Sequence, residues 1–272
     1  MPARDLPINS MMMITNKTWA LLFILGAGSI SGVLYQNMTP VEFSALNIPQ
    51  IDEKSRRDQA KELLGTYYTG SPIQSLDGHR DLNYLVYKKL ENSLSSEWKG
   101  WLPQITKELI KECQRQDMDP IFVMAIIQTE SQWNTYAKGT SGEIGLMQIL
   151  PQTATWIAKK YRLEYRGESS LYDPITNLKI GITYFAHLRS QFESRAHHYV
   201  PAYNMGPTNL RRVARSFASI GTDERDLLYG EYGSKVMRNY RLIYNQLLNK
   251  DALVRFAQKT ESSDSTTGSL IQ

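Results

Sequence analysis

One glutamate stands where its surroundings would make it reactive. Asp119 to Thr153 reads DPIFVMAIIQTESQWNTYAKGTSGEIGLMQILPQT. Ile121 to Ile127 is almost continuously apolar, and Glu130 ends that run. If the run is a helix, the Glu130 carboxylate meets the negative end of the helix dipole. Burial also disfavours the charged form. Both effects raise its pKa and keep a proton available near neutral pH, as a general acid requires. The stretch after it is rich in Gly and small polar residues and leaves room for a ligand beside the acid. Glu143 in that loop is the candidate second carboxylate, the bland alternative being a solvated charge. Taken alone, a helix-end glutamate is more often a partner in an ion pair than a catalyst, since ion pairs also perturb pKa. The four histidines are His79, His187, His197 and His198. Glu193 and His197 fall on one helix face, but no H-E-x-x-H spacing occurs and a zinc site wants three or four converging ligands. No metal is expected. Cys113 is the single cysteine, which excludes an intramolecular disulfide and a multi-cysteine zinc site. It reads as a small core residue.

The elements that must position these groups all read as helices. Asp119 can cap free amides, and Pro120 suits the first helical position, where no N–H is needed. Asp173-Pro174 repeats that start and opens a helix carrying Ile175, Leu178, Ile182, Phe185 and Phe192. Gly181 inside it costs about 1 kcal/mol against Ala, so it reads as a point of close packing. Before the organising stretch, Trp101, Ile105, Leu109 and Cys113 are spaced by four within Trp98 to Gln116. After it, Pro151 to Tyr161 forms a helix, and another carries His197 to Asn204. Gly206-Pro207 breaks that one and starts the next, with Leu210, Val213 and Phe217. The last strong helix is Glu231 to Asn249, with Val236, Tyr240, Ile243 and Leu247 on one face. No convincing alternating strand appears. The fold class is all-α, with at most a short hairpin in the glycine loop.

Four segments in order, ESQWN, GEIGLMQILPQTA, DPITNLKIGITYF and AYNMGP, resemble the SLT-type lytic transglycosylases, relatives of goose-type lysozyme. The resemblance covers roughly Trp101 to Leu248. It implies a lysozyme-like (goose-type) helical catalytic domain acting on peptidoglycan glycan strands. It makes Glu130 the catalytic residue, first acid and then base, cleaving the bond between N-acetylmuramic acid and N-acetylglucosamine. The substrate's acetamido group assists, a 1,6-anhydro sugar forms, and no metal or cofactor takes part. Gln148, Tyr203 and Asn204 are carried over as substrate-binding, Tyr203 lying near the acid and able to hydrogen-bond it. Tyr240 would border the groove, and Met147 would sit in the core. Glu143 stands where the family often has a small residue, and reads as a group that binds substrate or tunes the acid. Gly139 departs from a family serine, with Thr140 or Ser141 as substitutes for its hydroxyl. Leu150 replaces a methionine that touches substrate in relatives. Two alternatives stay open: a goose-type-like muramidase that hydrolyses the same bond, and an inactive wall-binding scaffold.

The 272 residues are 42% hydrophobic with a net charge of +4. That permits one large or two small domains. No dense Lys/Arg run stands out, so nucleic acid is not an expected partner, whereas a mildly basic surface suits an anionic polymer such as bacterial cell wall. Residues 1–40 read as a signal anchor or signal peptide. Arg4 and Lys17 precede an uncharged block from Thr18 to Tyr35, about the ~18 residues at which a span becomes credible. Ser29-Ile30-Ser31 offers a cleavage site. Either reading puts the body in the bacterial periplasm, tethered to the inner membrane or exported, where a secretion or wall-remodelling complex is a candidate partner. Residues 41–97 read as a helical N-terminal extension, whose Tyr67, Tyr68, Tyr84 and Tyr87 either pack it onto the main domain or line a sugar groove. The catalytic domain is set at 98–250. The segment 251–272 is polar beyond Gln258, aromatic-free there, and expected to be disordered.

Overall fold

The computed structural model describes residues 43–267, which fall within one compact unit, Thr39–Gln272. Residues 1–40, expected to be a signal anchor or signal peptide, lie outside them. Nine α-helices follow in order among the described residues: α1 Glu53–Leu64, α2 Leu82–Ser93, α3 Leu102–Arg115, α4 Pro120–Glu130, α5 Pro151–Tyr161, α6 Pro174–Gln191, α7 Ala196–Met205, α8 Pro207–Ser219 and α9 Glu231–Thr267. Short 3-10 turns join several of them. The all-α expectation holds, and none of these helices is long and apolar enough to cross a membrane.

Helix α4 is the axis. Asp119 caps it as expected, its Oδ1 accepting the Ile121 N–H at 2.8 Å, with Pro120 in the first turn. Every residue from Pro120 to Ile127 is buried, which explains the unbroken apolar run. Asp173 does the same for α6, accepting the Thr176 N–H at 2.7 Å. Helix α9 packs along α4, and α3 packs on α6. Phe122 of α4 meets Phe185 of α6 and Tyr240 of α9 edge-on, with ring centroids 5.4 and 5.6 Å apart.

The 41–97 segment is tied into this core. Arg56 on α1 is fully buried. Its guanidinium donates to Glu53 (2.9 Å), Asp77 and the Tyr244 hydroxyl (2.9 Å). Tyr244 and Tyr240 in turn donate to Asp119 Oδ2, at 3.1 and 2.5 Å. Gln59 Oε1 accepts the Asp119 backbone N–H at 2.7 Å. The buried cap carboxylate of α4 is therefore matched by a buried cation from α1. Burial pushes the Asp119 pKa up, while Arg56 and the tyrosine hydroxyls oppose that rise. Tyr68, Tyr84 and Tyr87 are buried and Tyr67 is exposed, so three of these four tyrosines serve packing. Cys113 is buried, as expected.

One element differs from the sequence expectation. Helix α9 runs to Thr267 rather than stopping at Asn249. No Gly or Pro interrupts residues 250–267, so nothing local ends the helix, even where polar composition suggests a disordered tail. The glycine loop carries isolated antiparallel bridges, Lys138 to Ile144 and Ile144 to Ile149, within the expectation of at most a short hairpin.

Candidate active site

Glu130 sits in the last turn of α4, part-buried, at a cleft of about 360 Å³. Burial raises its pKa to about 7. The Tyr232 hydroxyl donates to its Oε1 at 2.6 Å, and this bond and the Lys235 charge pull the value down. The Glu143 charge pushes it up. Burial is thus the leading cause, and the carboxyl exchanges its proton near neutral pH, as a group serving first as acid and then as base must.

The loop from Ser131 to Leu150 forms the adjoining wall. It is clamped from below by Asn177 on α6, which is fully buried. Asn177 Oδ1 accepts the Met147 N–H at 2.8 Å, and Nδ2 donates to the Ile144 and Leu171 carbonyls at 2.9 and 2.8 Å. Gly145 passes over this amide with φ +79°, and a Cβ there would lie 2.3 Å from Asn177 Nδ2. Gly181 plays the part expected of it: a Cβ would lie 2.5 Å from Met147 Sδ, so the buried Met147 packs against bare α6 backbone. Gln148, at φ +46°, donates its Nε2 to the Ala137 and Gly145 carbonyls at 3.1 and 3.0 Å. Ser131 Oγ bonds the Ile127 carbonyl at 3.3 Å at the turn.

The cleft brings together Glu130, Glu143, Gln148, Tyr203 and Asn204, with Tyr184 and Leu150 also lining it. Two sequence expectations need correction. Tyr240 does not border the groove. It is fully buried and its hydroxyl goes to Asp119, at the opposite end of α4. Its place in the middle of the apolar stripe of α9 points it into the core. Tyr203 lines the cleft, but its hydroxyl donates to the Met147 carbonyl at 2.8 Å. Its ring packs on Phe185 with centroids 4.9 Å apart. The partner of the acid is Tyr232, which sequence reasoning missed. Tyr232 lies four residues before Val236 and eight before Tyr240, so it is the N-terminal end of the same helix face. That position was the available signal.

A second hollow lacks this chemistry. Of about 430 Å³ and bordered by Tyr67, Arg241 and Asn245, it has no carboxylate in its lining. His197, His198 and Glu224 offer ligand atoms within 4.8 Å of one another, and His198 Nε2 meets Glu224 Oε2 at 2.9 Å. None of the three lines the Glu130 cleft. The carboxylate partner of this histidine pair is Glu224, not Glu193.

The site is thus a cleft in a helical domain, lined by Glu130 with its raised pKa and by a second glutamate, Glu143. Residues 108–225 match the family described as Transglycosylase SLT domain. This stretch is thus similar to the family that the four motifs resemble. It is 39% identical over 97 residues to the soluble lytic murein transglycosylase of Salmonella typhimurium, covering 35% of this chain and 15% of the relative. It is 28% identical over 193 residues to membrane-bound lytic murein transglycosylase C of Histophilus somni, covering 64% and 49%. The chain therefore spans about half or less of the length of these relatives. The crystal structure of the 70 kDa soluble lytic transglycosylase of Escherichia coli aligns at a TM-score of 0.48 and 21% identity, covering 75% of this chain and 38% of that one.

Proposed function

We propose that this protein is a peptidoglycan lytic transglycosylase that cleaves the β-1,4 bond between N-acetylmuramic acid and N-acetylglucosamine. The observation that carries the reading is the Glu130 carboxyl, with a pKa raised to about 7, in a cleft it shares with Gln148, Tyr203 and Asn204.

In this mechanism protonated Glu130 donates its proton to the glycosidic oxygen as the C1–O bond breaks. The 2-acetamido oxygen of the muramic sugar bonds to C1, giving an oxazolinium ion. Ionised Glu130 then takes the proton of the C6 hydroxyl, whose oxygen bonds to C1 and displaces the acetamido oxygen. A 1,6-anhydro ring forms, Glu130 is protonated again, and no water is consumed. Substrate assistance removes the need for the second carboxylate that most glycosidases use. Tyr232 steadies the ionised form of Glu130 between the two steps. Gln148, Tyr203 and Asn204 bind the glycan strand. The N-terminal segment tethers the protein to the inner membrane or directs its export, so that it works in the periplasm, and a secretion or wall-remodelling complex is its natural partner.

Purified peptidoglycan sacculi test the reading. The wild-type chain releases soluble muropeptides, and Glu130→Gln, which keeps the shape but not the proton, releases them at least about 100-fold more slowly. Equal release by both proteins would remove Glu130 from the mechanism.

A further inference from the structure

Glu143 has a place in the proposed substrate-assisted reaction, and its role rests on that reaction. Its carboxylate is folded over Gly139 rather than extended into solvent. A Cβ placed on Gly139 would lie 2.3 Å from Glu143 Oε2, 3.1 Å from its Cδ and 3.0 Å from Gln148 Oε1. The backbone at Gly139 has no positive φ that would call for glycine. The missing side chain at 139 is thus explained by the space the Glu143 carboxylate fills. The loop holds it there: the Ser141 N–H donates to Oε2 at 3.0 Å, and the Gly139 N–H donates to the Glu143 carbonyl at 2.8 Å. A carboxylate has about four acceptor positions, so one amide leaves it capacity for a ligand. Glu143 and Glu130 line the same cleft.

We infer that Glu143 is a second catalytic residue, accepting a hydrogen bond from the N–H of the acetamido group whose oxygen attacks C1. As the oxazolinium forms, positive charge spreads onto that nitrogen and the N–H becomes a stronger donor. An anionic acceptor held beside it therefore binds the transition state more tightly than the ground state. The hydrogen bond also keeps the acetamido oxygen turned toward C1. No proton need leave the nitrogen, so Glu143 is unchanged at the end of the cycle.

The test compares the whole wild-type chain with Glu143→Gln and Gly139→Ala on a soluble peptidoglycan glycan oligosaccharide. Initial rates, pH profiles and product masses are read for each. Glu143→Gln keeps the size and removes the charge. Gly139→Ala keeps the carboxylate and displaces it. Both variants are expected to lower kcat about 10- to 100-fold with KM changed less than about threefold. Glu143→Gln should also move the alkaline limb of the profile to lower pH, because a negative neighbour of Glu130 is gone. The other groups acting on Glu130, namely Tyr232 and Lys235 of α9 and Tyr203 of α7, are untouched. A purely structural role would lower the melting temperature without moving that limb. Wild-type kcat in both variants would overturn the inference. So would loss of reducing-end products alone in Glu143→Gln, which would make Glu143 the group that orients water. If the wild-type chain formed no anhydro product, the underlying reaction would fall first, and this role with it.

Discussion

Tyr232→Phe removes a single hydrogen bond from the Glu130 carboxyl and leaves its other surroundings in place. The hydroxyl donates to Glu130 Oε1 at 2.6 Å, inside the range of charge-assisted hydrogen bonds. A hydrogen bond to a charged group contributes about 1.5–3 kcal/mol. The same hydroxyl also bonds the protonated acid, more weakly, so the difference between the two forms is about 1–2 kcal/mol. At about 1.4 kcal/mol per pKa unit, removing the hydroxyl raises the Glu130 pKa by about one unit from its present value of about 7. The bond favours the ionised form, so its loss can only raise the pKa. The first step needs protonated Glu130, and kcat/KM falls as pH climbs through that pKa. The alkaline limb of Tyr232→Phe should therefore lie about one pH unit above that of the wild type. At the optimum the rate should fall about tenfold, because the carboxyl is held less firmly and, with its pKa raised, is a poorer proton donor in the first step. The assay is kcat/KM against pH on a soluble glycan oligosaccharide. A limb that stays in place, or moves down, would refute the argument.

Stability should respond to the same carboxyl. An unfolded glutamate loses its proton near pH 4.5 and Glu130 holds it to about pH 7, so wild-type stability falls across that interval and stays lower above it. Glu130→Gln escapes that loss and should be about 1–3 kcal/mol more stable than wild type at pH 8 and no more stable at pH 4, by urea unfolding. Arg56→Met strands the buried Asp119 carboxylate and should cost about 3–5 kcal/mol. Adding Asp119→Asn should recover part of that loss, a coupling that a double-mutant cycle measures. Asn177→Ala removes the side-chain partner of the Met147 N–H and the Leu171 carbonyl, and leaves the Ile144 carbonyl only its bond from the Ile149 N–H. It should cost about 2–4 kcal/mol and at least about tenfold in rate, because the loop carrying Glu143 and Gln148 loses its clamp.

The parts of the fold written locally were the easiest to read. Asp-Pro pairs at 119 and 173 mark helix starts because capping and the missing proline N–H act within one turn, and both caps form. Glu130 was legible because an acid ending an apolar helix is chemically conspicuous. Long-range pairing was not legible. Nothing in the sequence around Arg56 says that it will cross 188 residues to Tyr244, and without that contact residues 41–97 look like a separable extension. The family resemblance puts Tyr240 at the groove, while helical periodicity gives only the buried face of the last helix and not the part of the core that face meets. With α9 lying along α4, Tyr232 reaches Glu130 while Tyr240 and Tyr244 reach Asp119. The Gly139–Glu143 pair shows the same limit: their complementarity exists only once the loop is folded.

The central claim is that Glu130 closes a ring instead of admitting water, and the mass of the new muramic end tests it most directly. The whole chain is incubated with purified peptidoglycan and the soluble products are weighed by mass spectrometry. Products ending in 1,6-anhydro-N-acetylmuramic acid, absent with Glu130→Gln, are the expected result. Products heavier by one water, with reducing muramic ends, would contradict it and make the protein a hydrolase.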